Sequence, residues 1–498
     1  MQRLDNVIAG KRKPSASKRT APVFNPATGE QTAELPLSTA AELGDAVAAA
    51  KAAFATWSVT PPLRRAALMF KYRDLIEKNA ARIATIISQE HGKTHSDALG
   101  EVQRGLEVID FCCGIPHLLK GEFSRNAGPS IDTHSDRQAL GVVAGITPFN
   151  FPIMVPLWMF PVAIACGNTF ILKPSEKDPS ASMLASELFQ EAGFPDGVLS
   201  IVHGDKEVVD AILAHPDIKA VSFVGSTPIA EYVYRTGTHT GKRVQALGGA
   251  KNHMVIMPDA DIDKAADALM GAGYGSAGER CMAVSVAVPV GEEPANRLVE
   301  ALAPRVRALK IGPASDPDAE MGPVVTGDHL RKILSYIDSG AAQGADLVVD
   351  GRGFKLQGYE KGYFLGGTLF DKVTPQMTIY KEEIFGPVLS VVRTKSYADA
   401  VGLINANDYA NGVAIFTRDG DAARDFADRI EVGMVGINVA IPVPVAYHSF
   451  GGWKRSIFGD HAIYGAEGVR FNTRLKTVTS RWPEDIKSGA VFNFPTLG

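Results

Sequence analysis

Short apolar runs alternate with segments of helical periodicity from about residue 140 onward. The short runs predict buried strands, and the longer segments, with apolar residues three and four apart, predict helices. Turn signals such as Gly193 and Pro216 follow the helical segments. The expected strands cover residues 141–146, 169–173, 198–202 and 220–224, and the expected helices cover residues 157–165, 181–192 and 207–214. This alternation predicts a doubly wound α/β domain of the nucleotide-binding type, with a parallel sheet and crossover helices.

The expected strands lack the usual dinucleotide signature, because no Gly-x-Gly-x-x-Gly follows any of them. Two strand ends offer another way to hold a dinucleotide. Gly225, Ser226 and Pro228 combine close backbone approach, a hydroxyl at the expected N-cap and a proline in the first turn, which suits a pyrophosphate. At the other strand end, Lys173 and Glu176 either hydrogen-bond the two hydroxyls of a ribose or form an ion pair with each other.

A lone cysteine with a permanent cation beside it opens a further apolar run, residues 283–290, which is expected to be a buried strand. The thiol belongs to Cys281, and the cation is Arg280. A thiolate attacks carbon, and an arginine together with backbone N–H groups lowers a cysteine pKa toward working pH. Cys281 is therefore a candidate nucleophile, and the alternative is a small buried hydrophobic residue.

Composition is that of a large globular protein, with 498 residues, 45% of them hydrophobic and 21% charged, enough for two or three structural units. The net charge of −4 is spread without a basic stripe, so no nucleic-acid partner is expected.

Residues 151–166 are too short and too rich in proline to span a membrane. The basic residues 11–13 are expected in a solvated hairpin. The four cysteines are too few for a disulfide framework and favour the cytoplasm; they are Cys112, Cys113, Cys166 and Cys281.

Five motifs in one order resemble the aldehyde dehydrogenase superfamily over nearly the whole chain. They are Thr-Pro-Phe-Asn-Phe-Pro at 147–152, Lys-Pro-Ser-Glu at 173–176, Phe-Val-Gly-Ser-Thr at 223–227, Gly-Glu-Arg-Cys at 278–281 and Glu-Glu-Ile-Phe-Gly-Pro-Val at 382–388. The resemblance implies that Cys281 is the nucleophile and that the Asn150 amide shares the oxyanion hole with the Cys281 backbone N–H. It also implies NAD as cofactor, held by Thr147, Phe149, Lys173, Glu176, Lys177, Gly225, Ser226, Gly248 and Glu383.

One departure from that family concerns the acid that activates water in its hydrolytic members. Residues 244–253 read Val-Gln-Ala-Leu-Gly-Gly-Ala-Lys-Asn-His and contain no carboxylate, so the acid's place falls on Leu247 or Ala246, depending on the alignment. Without a general base, water attacks a thioester slowly and a better nucleophile is needed. The thiol of coenzyme A is such a nucleophile.

The run at 249–253, together with Arg104 and Arg280, resembles the CoA-acylating methylmalonate-semialdehyde dehydrogenase branch and its malonate-semialdehyde relatives. That resemblance implies that both arginines bind the substrate carboxylate, a task that suits their bidentate geometry. It also implies loss of carbon dioxide and formation of propionyl-CoA or acetyl-CoA. Arg104 has the alternative of a solvated helical face between two glutamates. Two other functions stay open: a hydrolytic dehydrogenase with a base from elsewhere, such as Glu382, and a non-catalytic binding protein.

The same resemblance suggests how the chain is divided. The NAD-binding domain is expected to cover residues 1–118 and 139–247, and the catalytic domain residues 248–455. An oligomerisation arm at 119–138 and a C-terminal segment at 456–498 are expected to assemble a dimer or tetramer. No metal is expected, because His91 and His95 have helical spacing but lack a third ligand.

Overall fold

The computed structural model describes residues 2–483 and contains two large sheets. The first has eight strands, of which the central five are parallel. From edge to edge its strands are Ile457–Phe458, Arg243–Leu247, Ile218–Val224, Val142–Ile146, Thr169–Lys173, Leu199–Ile201, Asn6–Ile8 and Lys11–Lys13. All four expected strands are therefore confirmed, with small differences at their ends. The basic residues 11–13 form the exposed strand of a hairpin, as expected.

The order of the five parallel strands is that of a dinucleotide-binding fold. Numbered along the chain from Val142–Ile146, they lie in the order 5-4-1-2-3. The direction of winding reverses between Val142–Ile146 and Ile218–Val224, and ligands of such sheets bind beyond the carboxyl ends of the strands at that reversal. The Thr-Pro-Phe-Asn motif at 147–150 and the Gly-Ser-Thr motif at 225–227 follow these two strands directly.

The second sheet has seven strands, and all but the first edge strand run parallel to their neighbours. In spatial order they are Asp346–Val349, Thr368–Asp371, Val388–Val391, Val284–Pro289, Asn252–Ile256, Gly412–Phe416 and Met434–Ile437. The central strand Val284–Pro289 corresponds to the apolar run after Cys281. The confirmed fold class is thus α/β with parallel sheets.

Smaller sheets complete the strands. An antiparallel sheet joins Thr473–Arg481 to Ile131–Ala139 and Glu122–Gly128. The remaining strands are Gln2–Arg3, Thr20–Asn25 and Glu30–Pro36 in one sheet, and Tyr409–Ala410 with Trp453–Lys454 in another. The domain boundaries given above stay a prediction, and residues 484–498 of the expected C-terminal segment lie outside the described residues.

Helices cover both faces of the first sheet and flank the second. They are Ala40–Trp57, Pro62–Lys78, Ala80–His91, His95–Cys113, Ile115–Leu118, Met154–Ala165, Ser180–Glu191, Lys206–Ala214, Thr227–His239, Ile262–Tyr274, Glu292–Arg307, Gly327–Ala342, Thr378–Lys381, Tyr397–Asn405, Gly420–Arg429 and Gly465–Phe471. Within residues 2–483, none of them has the length and apolar character needed to cross a bilayer.

The core explains why the first sheet reads as continuous apolar runs. Val142–Ile146 and Thr169–Lys173 are buried along their whole length, as strands covered on both faces must be. Alternate residues belong to different clusters: Val143 and Leu172 pack on the face of helix Met154–Ala165, whereas Ala144 and Ile171 pack on the opposite face. Successive residues of such a strand therefore point to opposite faces of the sheet and pack into different core clusters.

Candidate active site

The nucleophile segment connects helix Ile262–Tyr274 to the central strand of the second sheet. A short 3-10 turn precedes Cys281, and in it Ser276 and Ala277 both have φ of 53°, a left-handed conformation that side chains other than glycine rarely adopt. At Gly278 a Cβ would lie 2.2 Å from the carbonyl oxygen of Gly386. This close approach brings the loop that carries Glu383 against the cysteine segment.

Two asparagines fix the backbone of Cys281. Its carbonyl oxygen accepts hydrogen bonds from the side-chain amides of Asn252, at 2.9 Å, and Asn411, at 3.1 Å. The thiol is partly buried, and Cys281, Arg280 and Glu383 line one pocket. These hydrogen bonds hold the backbone of the segment in place, and the Cys281 side chain lines the pocket.

The thiol is less acidic than the sequence suggested. Burial and the nearby carboxylate of Glu383 raise the pKa of Cys281 to about 12. Arg280 and the backbone N–H groups of Cys281 and Met282 act in the expected direction, toward a lower pKa, but burial of the thiol outweighs them. The expected contributions of Arg280 and the backbone are therefore present, but the net pKa lies above that of a free thiol rather than near working pH.

Asn150 lies in the loop that follows strand Val142–Ile146 and is buried. The loop leads into helix Met154–Ala165, which packs on the same face of the sheet as Leu172. The loop position agrees with the expected role of the Asn150 amide, and the role itself stays a prediction.

A buried polar cluster surrounds Phe149. Its ring stacks on His91, contacts the edge of His329 and lies under the Lys177 ammonium, 4.3 Å from the ring centroid. Glu279 is fully buried between the two histidines, and burial raises its pKa to about 8. Burial is also the main cause that lowers the pKa of His329 to about 4, so the histidines are neutral at working pH.

The expected ribose-binding residues are placed together. Lys173 is buried, and its ammonium lies 3.0 Å from the carboxylate of Glu176, whose side chain is 41% exposed. This is the ion pair that the sequence offered as the alternative, and it leaves Glu176 open to a ligand. The backbone N–H of Thr147 donates to the carbonyl of Lys173, which fixes these two strand ends to each other.

The expected pyrophosphate site is a helix N-terminus with an unused hydroxyl. Ser226 is the N-cap of helix Thr227–His239, and its side chain makes no capping bond within the described chain. The neighbouring loop is tightly packed: the Gly249 N–H donates to the Thr227 hydroxyl, and a Cβ at Gly248 would lie 2.8 Å from the Arg455 carbonyl oxygen. Gly225 is equally constrained, since a Cβ there would lie 2.6 Å from the Phe223 ring.

Glu383 faces the same region from the second sheet. Its carboxylate accepts from the Ala250 N–H at 3.0 Å, and burial raises its pKa to about 7. Glu382 is exposed, its carboxylate accepts from the Tyr336 hydroxyl at 2.5 Å, and it does not line the pocket that contains Cys281. Of the two glutamates, Glu383 is therefore the one beside the thiol.

The two candidate carboxylate-binding arginines differ in their present partners. Arg104 donates to the Glu107 carboxylate at 2.7 Å and to the carbonyl of Pro444 at 2.9 Å. Tyr464 donates to the same carbonyl, and its pKa, raised chiefly by burial, is also shifted by Arg104 and by Cys281. Tyr464 thus lies close to both residues. Arg280 is bound to Asp97, seven residues before Arg104 on helix His95–Cys113.

The place of the missing acid is decided by the pleat of strand Arg243–Leu247. Leu247 enters the core cluster that contains Met282 and against which Cys281 packs, whereas Ala246 enters the cluster on the opposite face. Leu247 is therefore the position on the cysteine side of the sheet. Both residues are buried and apolar.

Sequence reasoning missed several polar residues at the site. Lys93 and Glu101 are buried as an ion pair beneath Asn150, and neither belongs to any of the five motifs found in the sequence. His329 and Tyr464 were missed because nothing near them in the sequence marks them. Glu279 belonged to a quoted motif but had no assigned part.

Comparison with known proteins gives matches over nearly the whole chain. Residues 13–478 match the model of the aldehyde dehydrogenase family. The malonate-semialdehyde dehydrogenase of Pseudomonas aeruginosa is 62% identical over 480 residues, which cover 96% of this chain and 97% of that protein. A Sinorhizobium meliloti protein complexed with NAD superposes with a TM-score of 0.97, at 61% identity, over 98% of this chain and 99% of that one. The methylmalonate-semialdehyde dehydrogenase of Oceanimonas doudoroffii gives 0.96, at 57% identity, over 97% and 99%.

Proposed function

Because the chain belongs to the aldehyde dehydrogenase family, we propose that it oxidises malonate semialdehyde or methylmalonate semialdehyde with NAD and transfers the acyl group to coenzyme A. Cys281 carries the acyl group as a thioester. The names of the relatives support the substrate class. The apolar residue Leu247, which cannot act as a general base for water, is the observation that favours coenzyme A as the acyl acceptor.

The reaction begins at Cys281. Its thiolate attacks the aldehyde carbon, and the oxyanion that forms is held by the Asn150 amide and the Cys281 backbone N–H. NAD, when bound, accepts the hydride that leaves this carbon. The thioester then remains on Cys281 until the thiol of coenzyme A attacks its carbonyl and displaces the cysteine sulfur. The substrate's carboxylate is β to that carbonyl, so the bond to this carboxylate can break with loss of carbon dioxide. The bond's electrons remain on the α-carbon, where the thioester carbonyl delocalises them as an enolate, and a proton from water then gives the acetyl or propionyl thioester.

The chain's own residues fit NAD at the first sheet. The buried hydroxyl of Thr147 has no hydrogen-bond partner among residues 2–483. The Ser226 side chain makes no capping hydrogen bond at the N-terminus of helix Thr227–His239 within the same residues, so its hydroxyl is available to a ligand. Lys173 and Glu176 would hold the ribose hydroxyls, with Phe149, Lys177, Gly225, Gly248 and Glu383 around the same cleft. The Glu176 carboxylate would repel a 2′-phosphate, so NAD is preferred over NADP.

Arg104 and Arg280 are assigned to the substrate carboxylate. Both guanidiniums are partly exposed, and both carry a carboxylate of this chain that a substrate carboxylate would replace or share. Arginine suits this task because its planar fork binds a carboxylate with two parallel hydrogen bonds.

Transfer to coenzyme A follows from the absence of a base on the cysteine side of strand Arg243–Leu247. Leu247 cannot accept a proton from water, and Glu382 is occupied elsewhere by Tyr336. Glu383 lines the same pocket as the thiol, but its assignment is to the cofactor.

The test is an assay of malonate semialdehyde and NAD with and without coenzyme A, followed by mass analysis of the products. We expect about one NADH per active cysteine without coenzyme A, then slow turnover, and steady formation of acetyl-CoA with it. Rapid steady formation of free acid without any thiol would favour the hydrolytic alternative. Loss of the NADH burst in Cys281→Ala would separate the enzyme from a binding protein.

Two further parts of the proposal concern the assembled protein. The sheet formed by Glu122–Gly128, Ile131–Ala139 and Thr473–Arg481 exposes Phe123 and Leu475, which suits an arm that joins subunits into a dimer or tetramer. The cytoplasm is the proposed location, supported by cysteine usage alone.

A further inference from the structure

A buried ion pair lies directly beneath the loop that carries Asn150. The Lys93 ammonium is 2.8 Å from the carboxylate of Glu101, and both side chains are 1% exposed or less. The same ammonium donates to the backbone carbonyl oxygen of Asn150 at 2.7 Å. It also lies over the ring of Phe151, 4.5 Å from its centroid. One lysine therefore holds the main chain on the residue assigned to the oxyanion.

The partner carboxylate holds the other end of the same loop. Its second oxygen accepts from the backbone N–H groups of Ile153 and Met154, at 2.9 and 3.1 Å. These groups belong to the start of helix Met154–Ala165, where N–H groups lack partners inside the helix and a negative charge is favourable. Lys93 and Glu101 thus fix residues 150 to 154 from both sides.

Both charged side chains are themselves on rigid supports. Lys93 follows Gly92, which ends helix Ala80–His91 in the left-handed conformation with φ of +95°. Glu101 lies on helix His95–Cys113, which approaches helix Met154–Ala165 closely at Gly105, where a Cβ would lie 2.6 Å from Leu157. The ion pair therefore cannot follow the loop if the loop shifts.

We propose that Lys93 and Glu101 are positioning residues that hold the Asn150 amide at the oxyanion, acting through the Asn150 carbonyl and the first turn of the following helix. The inference rests on the proposed function, since it needs Asn150 in the oxyanion hole. A displacement of the order of 1 Å at such a donor costs about a hundredfold in rate. Burying two charges without hydrophobic gain is understandable if the pair serves this geometry rather than stability alone.

The test measures the rate of the NADH burst with saturating malonate semialdehyde and NAD, normalised to titrated active cysteines. Lys93→Met removes the bond to the carbonyl. Lys93→Met with Glu101→Gln also removes the charge left behind. The glutamine oxygen can still accept from the helix N–H groups, so we expect this double variant to fold. Lys242→Met is the matched control, because Lys242 is also buried and donates to a carbonyl, that of His215, at 2.6 Å.

We expect both Lys93 variants to slow the burst about tenfold to a hundredfold, with Lys93→Arg recovering part of the loss and Lys242→Met leaving the rate within about twofold. In an Asn150→Ala background, Lys93→Met should change the rate by less than about threefold, because its effect passes through the missing amide. If the losses from Lys93→Met and Asn150→Ala were fully additive, the inference alone would be overturned. A normal burst in Lys93→Met with Glu101→Gln would have the same consequence. A normal burst in Asn150→Ala would overturn the oxyanion assignment and the inference with it.

Discussion

Individual side chains around Cys281 decide when its thiolate forms. Burial, and after it the carboxylate of Glu383, raise the pKa of the thiol and hold it protonated; the carboxylate acts by repelling the negative sulfur. Glu383→Gln should therefore lower the pKa of Cys281 and raise its rate of alkylation by iodoacetamide at pH 8. We expect an increase of at least about threefold in protein without NAD, which corresponds to half a pKa unit.

The matched control for this experiment is Glu382→Gln. The pKa of Cys281 is raised by burial and Glu383, whereas the carboxylate of Glu382 is exposed and bound to Tyr336, so alkylation should keep the wild-type pH profile. A faster reaction in both variants, or in neither, would contradict the assigned coupling between Glu383 and Cys281.

The arginines give a second prediction for single residues, this time about specificity. Arg104→Leu should lower kcat/KM for malonate semialdehyde about tenfold to a hundredfold, the worth of one or two hydrogen bonds to a charged group. Propanal has no carboxylate, so its kcat/KM should change by less than about threefold. Arg73→Leu is the control, because Arg73 makes comparable ion pairs with Glu77 and Asp110 on the protein surface. Equal losses on both aldehydes would remove Arg104 from the substrate site.

Secondary-structure elements decide which side chain faces the thioester. Strand Arg243–Leu247 presents Leu247 to the side of Cys281 and Ala246 to the opposite face, so a carboxylate should act only at the first position. Leu247→Glu should raise NADH formation without coenzyme A about tenfold or more, if the new acid is ionised, and should yield free acid. Ala246→Glu should not. The measurement is steady-state NADH formation across pH 7 to 9, since burial raises the pKa of the new acid and it ionises only at higher pH.

At this scale the sequence predicted some elements well and others not at all. Residues 169–173 were expected as a strand and form one at those bounds, because a strand covered on both faces needs a continuous apolar run. Contacts between elements were beyond reach: Lys93 lies 57 residues before Asn150, and Asp97 lies 183 residues before Arg280. The high pKa of Cys281 has the same origin, since burial of the thiol and its closeness to Glu383 are produced only by tertiary packing.

Across the molecule as a whole, the buried residue Glu279 connects the nucleophile segment to residues that are distant in the sequence. One oxygen of its carboxyl group accepts from the Val325 N–H at 3.2 Å and lies 3.5 Å from Nε2 of His329, and the other lies 3.6 Å from Nε2 of His91. The pKa of Glu279 rises from an ordinary 4.5 to about 8 in the folded protein, chiefly by burial. The folded state therefore binds this proton more tightly than the unfolded chain does. The stability that Glu279 contributes is complete below pH 4.5 and is lost as the pH rises toward 8.

Glu279→Gln keeps the shape of the side chain and its acceptor for Val325 but cannot lose a proton. Relative to the wild type, the variant should gain stability as the pH rises, with its Tm advantage larger at pH 9 than at pH 6 by roughly 2 °C or more. Differential scanning fluorimetry on the full chain measures both values. Glu191→Gln, at an exposed glutamate, should show the same Tm difference at both pH values. A Tm advantage that does not grow with pH would mean that Glu279 is ionised in the folded protein, and that its neighbours compensate its charge far better than two neutral histidines can.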